Sequence, residues 1–311
     1  MPTRKSPRKG SLQFWPRKRA AKALPTTNWD AIKSESQLKG FIAYKAGMKS
    51  AYVKDLTNHS MTSGKRKIVP VTILECPSMK IFSVRFYNKG IVSTEILAPS
   101  LDKELKRKVK IPKASKNIDD VKGDFDDIRI IVYSQVKSTG IKKKPDMLEI
   151  GLNGSYEDKL AFVKDHMNKE IAVTDVFSAG ELLDIRGLTK GRGFQGPVKR
   201  FGIELKNQKS EKGRRRPGSI GPWHPARVIF RVPMAGQLGM FSRVVYNNKI
   251  LDLGSTDERF KSIKNYGDVK TNYMIISGSI QGSAKRQMVL TKALRPTKKQ
   301  LKKNYELIEL R

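Results

Sequence analysis

The sequence has almost no cysteine, no long apolar run and too few acidic residues to balance its basic ones. Cys76 is the single cysteine among 311 residues, so neither an intramolecular disulfide nor a cysteine-based metal cluster can form. No apolar run approaches 18 residues and no apolar stretch opens the chain, so we expect a soluble protein that is not exported. With 29 acidic against 63 basic residues, the net charge is +34. Because self-repulsion at that density destabilises a compact chain, the composition favours a partner of polyanions over a metabolic enzyme.

The excess basic residues are concentrated in three stretches. Residues 1–28 contain eight basic residues and no acidic ones, residues 186–231 contain thirteen and two, and residues 285–303 contain eight and none. Residues 95–165 differ, with fifteen basic and thirteen acidic residues. The three basic stretches are typical of phosphate binding, whereas the balanced one is typical of a surface that faces water or protein neighbours.

Residues 1–38 are rich in proline, serine, threonine and basic residues, with no helical or strand period. Such a segment buries too little apolar surface to offset its ordering entropy, so on its own it is predicted to be disordered. Trp15 and Trp29 are interpreted as anchors that order it on a partner.

From Phe41 onward the pattern is one of short strands separated by turns. Apolar or alternating runs predict five strands and a hairpin that turns at Asn247-Asn248. The strands are expected at 68–75, 83–87, 228–232, 273–280 and 287–291, and the hairpin at 244–253. Many short strands favour a barrel or a sandwich over a doubly wound sheet.

Residues 96–165 depart from this pattern of short strands and turns. Serine and aspartate caps predict helices at 101–109 and 155–165, and an apolar run predicts a strand at 128–132. We interpret this segment as an α/β piece inserted into a β core.

Gly191-Arg-Gly-Phe-Gln-Gly196 matches the letters of the dinucleotide-binding pattern G-x-G-x-x-G. That pattern indicates a dinucleotide site only when it lies between a buried strand and a helix and an acidic residue follows about 20 positions further on. Here Pro197 follows at once, and Glu211 lies in a basic run rather than at a strand end. The segment is therefore predicted to be a flexible basic loop whose glycines let the backbone approach phosphates.

Arg214-Arg-Arg216 adjoins glycine and proline turns and then Trp223-His-Pro225. A charge run is normally a solvated face, but these neighbours predict an extended finger. Arginine makes bidentate contacts with phosphate, and tryptophan offers a plane on which a base can stack. The alternative for Trp223, a core aromatic, is disfavoured by the flanking prolines and glycines.

No residue pattern points to catalysis or to a bound metal. The three histidines, His59, His166 and His224, are too far apart and too poor in neighbouring ligands for a metal site. Five aspartates crowd together without the EF-hand spacing, and we interpret them as a solvated acidic face. They are Asp119, Asp120, Asp124, Asp126 and Asp127. P-loop, G-x-S-x-G and H-E-x-x-H motifs do not occur.

Several segments together resemble the family of the universal large-subunit ribosomal protein three. They are Gly191-Arg-Gly-Phe-Gln-Gly-Pro-Val-Lys-Arg-Phe-Gly202, Gly218-Ser-Ile-Gly-Pro-Trp-His-Pro-Ala-Arg-Val228 and Met234-Ala-Gly-Gln-Leu-Gly239. Pro7-Arg-Lys-Gly10 and Phe14-Trp-Pro-Arg17 resemble its archaeal and eukaryotic branch, and the chain length favours the archaeal members. The resemblance covers most of the chain and is weakest over 96–165.

The resemblance implies a mainly β fold with an α/β insertion, in which a translation-protein-type β-barrel core carries long basic extensions. The divisions implied are a basic N-terminal extension at 1–38, a discontinuous barrel core at 39–95 and 166–300, an inserted α/β domain at 96–165, an extended rRNA-binding finger within the core at 187–246 and a C-terminal tail at 301–311.

The function implied is that of a structural constituent of the large ribosomal subunit in the cytoplasm, not of an enzyme. It would bind large-subunit rRNA, help nucleate subunit assembly, touch neighbouring large-subunit proteins and send the finger, with Trp223 near its tip, toward the peptidyl transferase centre. No membrane, small-molecule substrate or cofactor is expected, and structural Mg²⁺ is expected on the rRNA rather than on the protein. The candidate rRNA-binding residues are Arg4, Lys5, Arg8, Lys9, Trp15, Arg17, Lys18, Arg19, Lys190, Arg192, Lys199, Arg200, Lys212, Arg214, Arg215, Arg216, Trp223, His224, Arg227, Arg231 and Arg243.

The residues alone leave two alternative functions open. A DNA-compacting chromatin protein would share the charge, but it would lack a glycine-rich finger with one stacking tryptophan and would bind duplex DNA as well as structured RNA. An rRNA-modifying enzyme would need a nucleophile or a cofactor loop, and no motif of that kind is found.

Overall fold

The computed structural model describes residues 7–112, 116–118, 121, 123, 125–210, 212–256 and 258–311. The chain divides into two compact units. Unit one comprises Met1–Lys22 and Leu188–Ser242, and unit two comprises Ala23–Gly187 and Arg243–Arg311. Most of the first basic stretch and most of the second therefore belong to the same unit, although more than 160 residues separate the two segments of that unit in sequence.

The described residues form thirteen strands and four short α-helices. The strands are β1 (Gly40–Asp55), β2 (Arg66–Glu75), β3 (Met79–Asn88), β4 (Ile91–Leu97), β5 (Asp127–Ser134), β6 (Met147–Gly151), β7 (Leu182–Leu188), β8 (Gly193–Gln195), β9 (Gly236–Leu238), β10 (Ser242–Gly254), β11 (Tyr273–Ser277), β12 (Gln287–Lys292) and β13 (Tyr305–Leu310). The helices are α1 (Val136–Thr139), α2 (Tyr156–His166), α3 (Pro197–Phe201) and α4 (Lys298–Lys302). The expectation of a mainly β protein is confirmed.

The larger sheet has seven strands in the order β12-β7-β10-β11-β2-β1-β13, and β12 also pairs with β1. β1 is sixteen residues long and pairs antiparallel with three strands. Its first half pairs with β12 and its second half with β13, while β2 runs along its other edge. The strands predicted from apolar runs at 68–75, 273–280 and 287–291 lie in this sheet, with ends shifted by a few residues.

The smaller sheet of unit two has four antiparallel strands in the order β4-β3-β5-β6. β3 contains the predicted strand at 83–87, and Val84 and Phe86 are buried as their alternation requires. β5 contains the predicted strand at 128–132. One apolar cluster joins this sheet to the larger one, with Phe41 and Leu290 on one side and Ile130 and Ile150 on the other. The insertion and the β core therefore share a hydrophobic interior.

α2 has the predicted capping box. The Ser155 hydroxyl accepts from the backbone N–H of Asp158, and the Asp158 carboxylate accepts from the backbone N–H of Ser155. These bonds satisfy two of the backbone donors that a helix N-terminus leaves unpaired, which is why this short helix begins where the sequence predicts.

The helix expected at 101–109 is a shorter 3₁₀ helix at Lys103–Arg107, with Asp102 rather than Ser100 at its N-cap. Leu105 is fully buried against Phe82 and Tyr133, and the Tyr133 hydroxyl donates to the Asp102 carboxylate at 2.7 Å. These tertiary contacts hold one tight turn in place, and that overrides the longer helical pattern.

The hairpin expected at Asn247-Asn248 is wrong, because β10 runs through both residues as one strand. The backbone N–H of Asn247 donates to the Asp184 carboxylate at 3.0 Å, and the Asn248 side chain donates to the carbonyls of Leu183 and Val245. Residues that commonly form turns here make hydrogen bonds within and next to the sheet.

The strand expected at 228–232 is also wrong, since these residues form no strand and contain a turn at Phe230 and Arg231. The backbone N–H of Val232 donates to the carbonyl of Ile229 at 3.2 Å, which closes a tight turn. Pro225 and Pro233 flank the segment, and proline has no N–H to donate to a ladder. The alternation of basic and apolar residues therefore does not reflect two faces of a sheet.

Trp29 anchors residues 24–38 to the interior of unit two rather than to a partner, so the expectation that 1–38 is disordered on its own is wrong for this part. Trp29 is only 4% exposed. Its side chain packs so closely on two glycines that a Cβ added to Gly40 would lie 2.8 Å from it, and a Cβ added to Gly151 would lie 2.6 Å from it. Leu24, Ile32 and Leu38 are buried in the same cluster. Residues 24–38 are thus ordered by the interior of unit two, although they contain no helix or strand.

Candidate nucleic-acid interface

Almost all the described candidate residues belong to unit one. Within its second segment, β8 pairs with β9 in register from Gly193–Leu238 to Gln195–Gly236. Hydrogen bonds and aromatic contacts join that segment to the first one. The backbone N–H of Ala20 donates to the carbonyl of Met240 at 2.9 Å. Arg243 is the exception, because it lies in β10 of unit two, where its carbonyl accepts from the Gln281 side chain. Arg4 and Lys5 fall outside the described residues.

Three aromatic rings form the centre of unit one. Trp15 stacks on Phe201 with ring centroids 5.8 Å apart, and Phe230 meets Trp15 edge-on at 5.8 Å. Phe201 is buried at the end of α3, whereas Trp15 is half-buried. Trp15, a candidate for stacking on rRNA, therefore uses its ring to hold the N-terminal segment against α3.

Arg17 and Arg200 form a second connection in the same place. Arg200 donates from Nε to the carbonyl of Gln237 at 3.0 Å, from Nη1 to that of Met234 at 3.0 Å and from Nη2 to that of Arg17 at 3.1 Å. Arg17 in turn donates to the carbonyl of Arg200 at 2.6 Å and lies over the Phe201 ring. Burial lowers the pKa of Arg200. These two candidate phosphate ligands therefore tie backbone segments of unit one together.

The Gly191–Gly196 segment lacks the context of a dinucleotide loop. β8 has three residues and α3 has five, and Phe194 at the centre of the segment is 78% exposed. A close approach does occur beside it: Gly239 has φ +83°, and a Cβ there would collide with the Lys190 carbonyl oxygen. The glycines allow two backbone segments to pack closely together, and Lys190 and Lys199, on either side of the Gly191–Gly196 segment, remain exposed.

The remaining candidate cations are mostly exposed. Three of them have side-chain contacts within the unit: Arg8 donates to the carbonyl of Arg231, Lys9 lies 3.7 Å from the Glu204 carboxylate, and Arg214 donates to the carbonyl of Lys206 at 3.2 Å. The exposed candidates are Arg8, Lys18, Arg19, Lys190, Arg192, Lys199, Lys212, Arg214, Arg215, Arg216, His224, Arg227 and Arg231. Unit one thus presents many positive charges to solvent, and a phosphate backbone is the complementary surface.

Trp223 is 88% exposed, which excludes the core-aromatic alternative. It lies beside His224, whose peptide bond to Pro225 is cis. A large apolar ring held in solvent among cations has the chemistry of a base-stacking platform.

Sequence reasoning missed Phe194 as a candidate. Its ring is almost as exposed as that of Trp223, and it lies between Arg192 and Lys199 in sequence. The available signal was an aromatic residue flanked by glycines, because such a position is rarely a core position. We add Phe194 to the candidate stacking residues.

The two described aspartates of the acidic segment, Asp126 and Asp127, both have partners. Asp127 is 3.0 Å from Arg129 Nε and 2.6 Å from Lys159 Nζ, and the Asp126 carboxylate accepts from the backbone N–H of Lys89. Asp119, Asp120 and Asp124 lie outside the described residues. Within the described ranges, no group of three or more histidine, cysteine, aspartate or glutamate residues could hold a metal ion. In the same part of the chain, no helix is both long and apolar enough to span a membrane.

Comparison with known proteins agrees with these features. A family model described as Ribosomal protein L3 matches residues 1–120 and 103–311. Large ribosomal subunit protein uL3 of Methanocaldococcus jannaschii is 40% identical over 307 residues, which cover 93% of this chain and 92% of that protein. The same protein of Methanococcus vannielii is 42% identical over 308 residues, with 93% and 92% covered. That of Methanobrevibacter smithii is 40% identical over 313 residues, with 94% and 93% covered.

These relatives are archaeal, so the predicted family and the archaeal and eukaryotic branch are confirmed. The match extends over both units and includes all the segments on which the resemblance rested. The chain therefore belongs to the ribosomal protein L3 family, whose members are structural ribosomal proteins and not enzymes.

Proposed function

We propose that the protein is a cytoplasmic constituent of the large ribosomal subunit that binds large-subunit rRNA directly through unit one. It helps nucleate subunit assembly, touches neighbouring large-subunit proteins and directs the finger, with Trp223 near its tip, toward the peptidyl transferase centre. The observation that carries the proposal is the 88% exposed Trp223 in a unit whose surface is crowded with exposed cations. Such a surface repels itself unless a polyanion neutralises it.

We also propose that the larger sheet of unit two is the barrel core. The pairing order β12-β7-β10-β11-β2-β1, with β12 also paired to β1, supports closure of six strands, and closure removes exposed sheet edges. In this proposal the divisions expected from the resemblance remain, except that residues 24–38 pack with the core of unit two, and the insertion at 96–165 is built onto the sheet that β3 and β4 begin.

Sedimentation tests the proposed assembly. Tagged full-length protein is expected to migrate with large subunits in a cell lysate and to stay there at moderate salt. A free light fraction under the same conditions would contradict the proposal. Binding to duplex DNA as tight as to structured RNA would instead favour the chromatin alternative.

A charge-matched pair of variants locates the interface. Replacing Arg214, Arg215 and Arg216 with alanine is expected to weaken incorporation into subunits, because phosphate contacts supply most of the affinity. Replacing Lys106, Arg107 and Lys110 with alanine removes the same charge from exposed positions of unit two. That control is expected to incorporate normally, and an equal loss in both variants would show that only net charge matters.

A further inference from the structure

Unit one contains a cavity of about 210 Å³ between the N-terminal segment and residues that precede and follow the arginine run. Four cations and one acid line it: Arg8, Lys9, Lys206, Arg216 and Glu204. The cavity therefore carries a net excess of three positive charges, and its natural ligand is an anion.

The remaining wall of the cavity is mostly apolar, and the hydroxyl of Ser219 is its one polar side-chain group. Ile203, Pro217 and Pro233 are half-buried and line it. A binding site for a simple anion would carry hydrogen-bond donors on all sides, and this wall has none on these three side chains. A ligand that fits has a flat apolar part and a negative part, which describes a nucleotide.

Two of the cations are fixed, and two remain available. The guanidinium of Arg8 donates to the Arg231 carbonyl, and Lys9 is paired with Glu204 at 3.7 Å. The side chains of Lys206 and Arg216, by contrast, have no hydrogen-bond or ion-pair partner among the described residues.

The backbone holds Lys206 at this cavity. Its N–H donates to the Arg214 carbonyl at 3.1 Å, and Arg214 Nε donates to the Lys206 carbonyl at 3.2 Å. The loop between these residues is thereby closed, so the ammonium of Lys206 starts from a fixed backbone position beside the cavity.

We propose that this cavity receives one unpaired nucleotide of the bound RNA. The base lies against Ile203, Pro217 and Pro233, and Lys206 and Arg216 contact its phosphate. A base within a duplex is held in its stack, so only an extruded or looped nucleotide can enter. This inference rests on the proposed function, because it names which part of the RNA unit one recognises.

RNA hairpins test the inference with the full-length protein. One hairpin is fully paired, and four others carry a single bulged A, C, G or U in the same stem. At one fixed salt concentration, fluorescence anisotropy is expected to show about ten-fold tighter binding of at least one bulged hairpin, near the lower end of the gain from one stacked base.

Cavity-filling variants identify where the bulged nucleotide binds. Ser219→Trp and Pro233→Trp fill the cavity from two different segments without changing charge. Both are expected to abolish the preference for the bulged hairpin while binding the paired hairpin as the wild type does. The controls Ile220→Trp and Ala235→Trp add the same ring at exposed positions that do not line the cavity, and they are expected to keep the preference.

Three outcomes would overturn the inference. Equal binding of all five hairpins would leave direct RNA binding intact but remove the nucleotide site. Loss of preference in the controls as well as in the filled variants would place the site elsewhere. Binding of a hexaglutamate peptide that is lost only in the filled variants, with RNA binding unchanged, would assign the cavity to an acidic protein partner. Absence of binding to any RNA would contradict the proposed function itself.

Discussion

Individual residues of the same type have opposite roles in this protein, and burial decides between them. Trp29 is enclosed by the interior of unit two, whereas Trp223 projects from unit one into solvent. Arg200 donates to three backbone carbonyls, whereas Arg216 has no partner in the described part of the chain. The sequence shows the type of each side chain, but which of them the fold uses internally depends on long-range contacts.

The two tryptophans provide a matched pair of substitutions. Trp29→Ala is expected to lower the free energy of unfolding by about 3–5 kcal/mol, because it leaves a large cavity in a packed interior. Trp223→Ala is expected to leave thermal unfolding unchanged and to give subunits with normal protein content but slower peptidyl transfer. The measurements are thermal denaturation, subunit yield and activity per assembled subunit. Unchanged activity per subunit would mean that Trp223 has no role at the tip.

Two glycines with nearly equal φ provide another pair. Gly239 has φ +83° and packs on the Lys190 carbonyl, whereas Gly213 has φ +82° with open space around it. Gly213→Ala is expected to cost about 1–2 kcal/mol of backbone strain and to leave RNA binding intact. Gly239→Ala adds a collision to that strain and should increase proteolysis of unit one and weaken RNA binding. Similar behaviour of the two variants would show that the close approach is unimportant.

At the scale of elements, sequence patterns correctly predicted the helices and strands that depend on interactions within a few residues. The capping box of α2 and the apolar runs of β2, β11 and β12 are where the sequence placed them, because the deciding interactions lie within a few residues. The failures at 228–232 and at Asn247-Asn248 have the opposite cause. There the backbone bonds to distant residues or is interrupted by proline, and neither the Asp184 carboxylate beside Asn247 nor the turn at Ile229 is visible in a sequence pattern.

Charge placement, and the prolines and glycines around Trp223, selected two segments of the sequence as the candidate site. The structure brings these segments together in unit one, and RNA binding by them stays a prediction. The aromatic centre of Trp15, Phe201 and Phe230 was not predicted, because it joins segments that lie far apart in sequence. Phe194 was missed although its flanking glycines indicated a position outside the core, and its exposure is seen directly only in the structure.

Asp127 makes one ion-pair network sensitive to pH. Burial raises its pKa, but hydrogen bonds and ion pairs with Lys159 and Arg129 outweigh burial and hold the pKa below its usual range. The group therefore stabilises the fold above its unfolded pKa of about 3.9, and this contribution is lost as pH falls through the folded pKa. Asp127→Asn is expected to flatten the fall in unfolding temperature below about pH 4. Identical pH profiles for the wild type and the variant would contradict the assignment.

Hydrogen exchange distinguishes the two units. Among the described residues of unit one, only Leu188 and Phe201 are buried core hydrophobics, so its local stability is expected to be low. Amides of 188–242 should exchange rapidly in the free protein and become protected on RNA. Amides near the buried residues Trp29 and Leu38 should be protected in both states. Strong protection of 188–242 without RNA would show that unit one is stable by itself.

At the scale of the whole molecule, the net charge of +34 determines how binding responds to salt. Neutralising about a dozen phosphates predicts a slope of log affinity against log salt on the order of −8 to −11. Alanine at Arg214, Arg215 and Arg216 should make that slope shallower by about 2–3. A wild-type slope shallower than about −3 would mean that the basic stretches do not contact phosphate.

Unit one is assembled from the first 22 residues and from residues 188–242, and this has a consequence for the order of synthesis. Translation at about 5–20 residues per second places roughly 10–30 s between the appearance of Lys22 and that of Leu188. During that time the first segment has been made, but Phe201, on which Trp15 stacks, does not yet exist. A nascent chain that stops before β9 therefore contains all four strands of the smaller sheet of unit two, while unit one and the larger sheet are still incomplete.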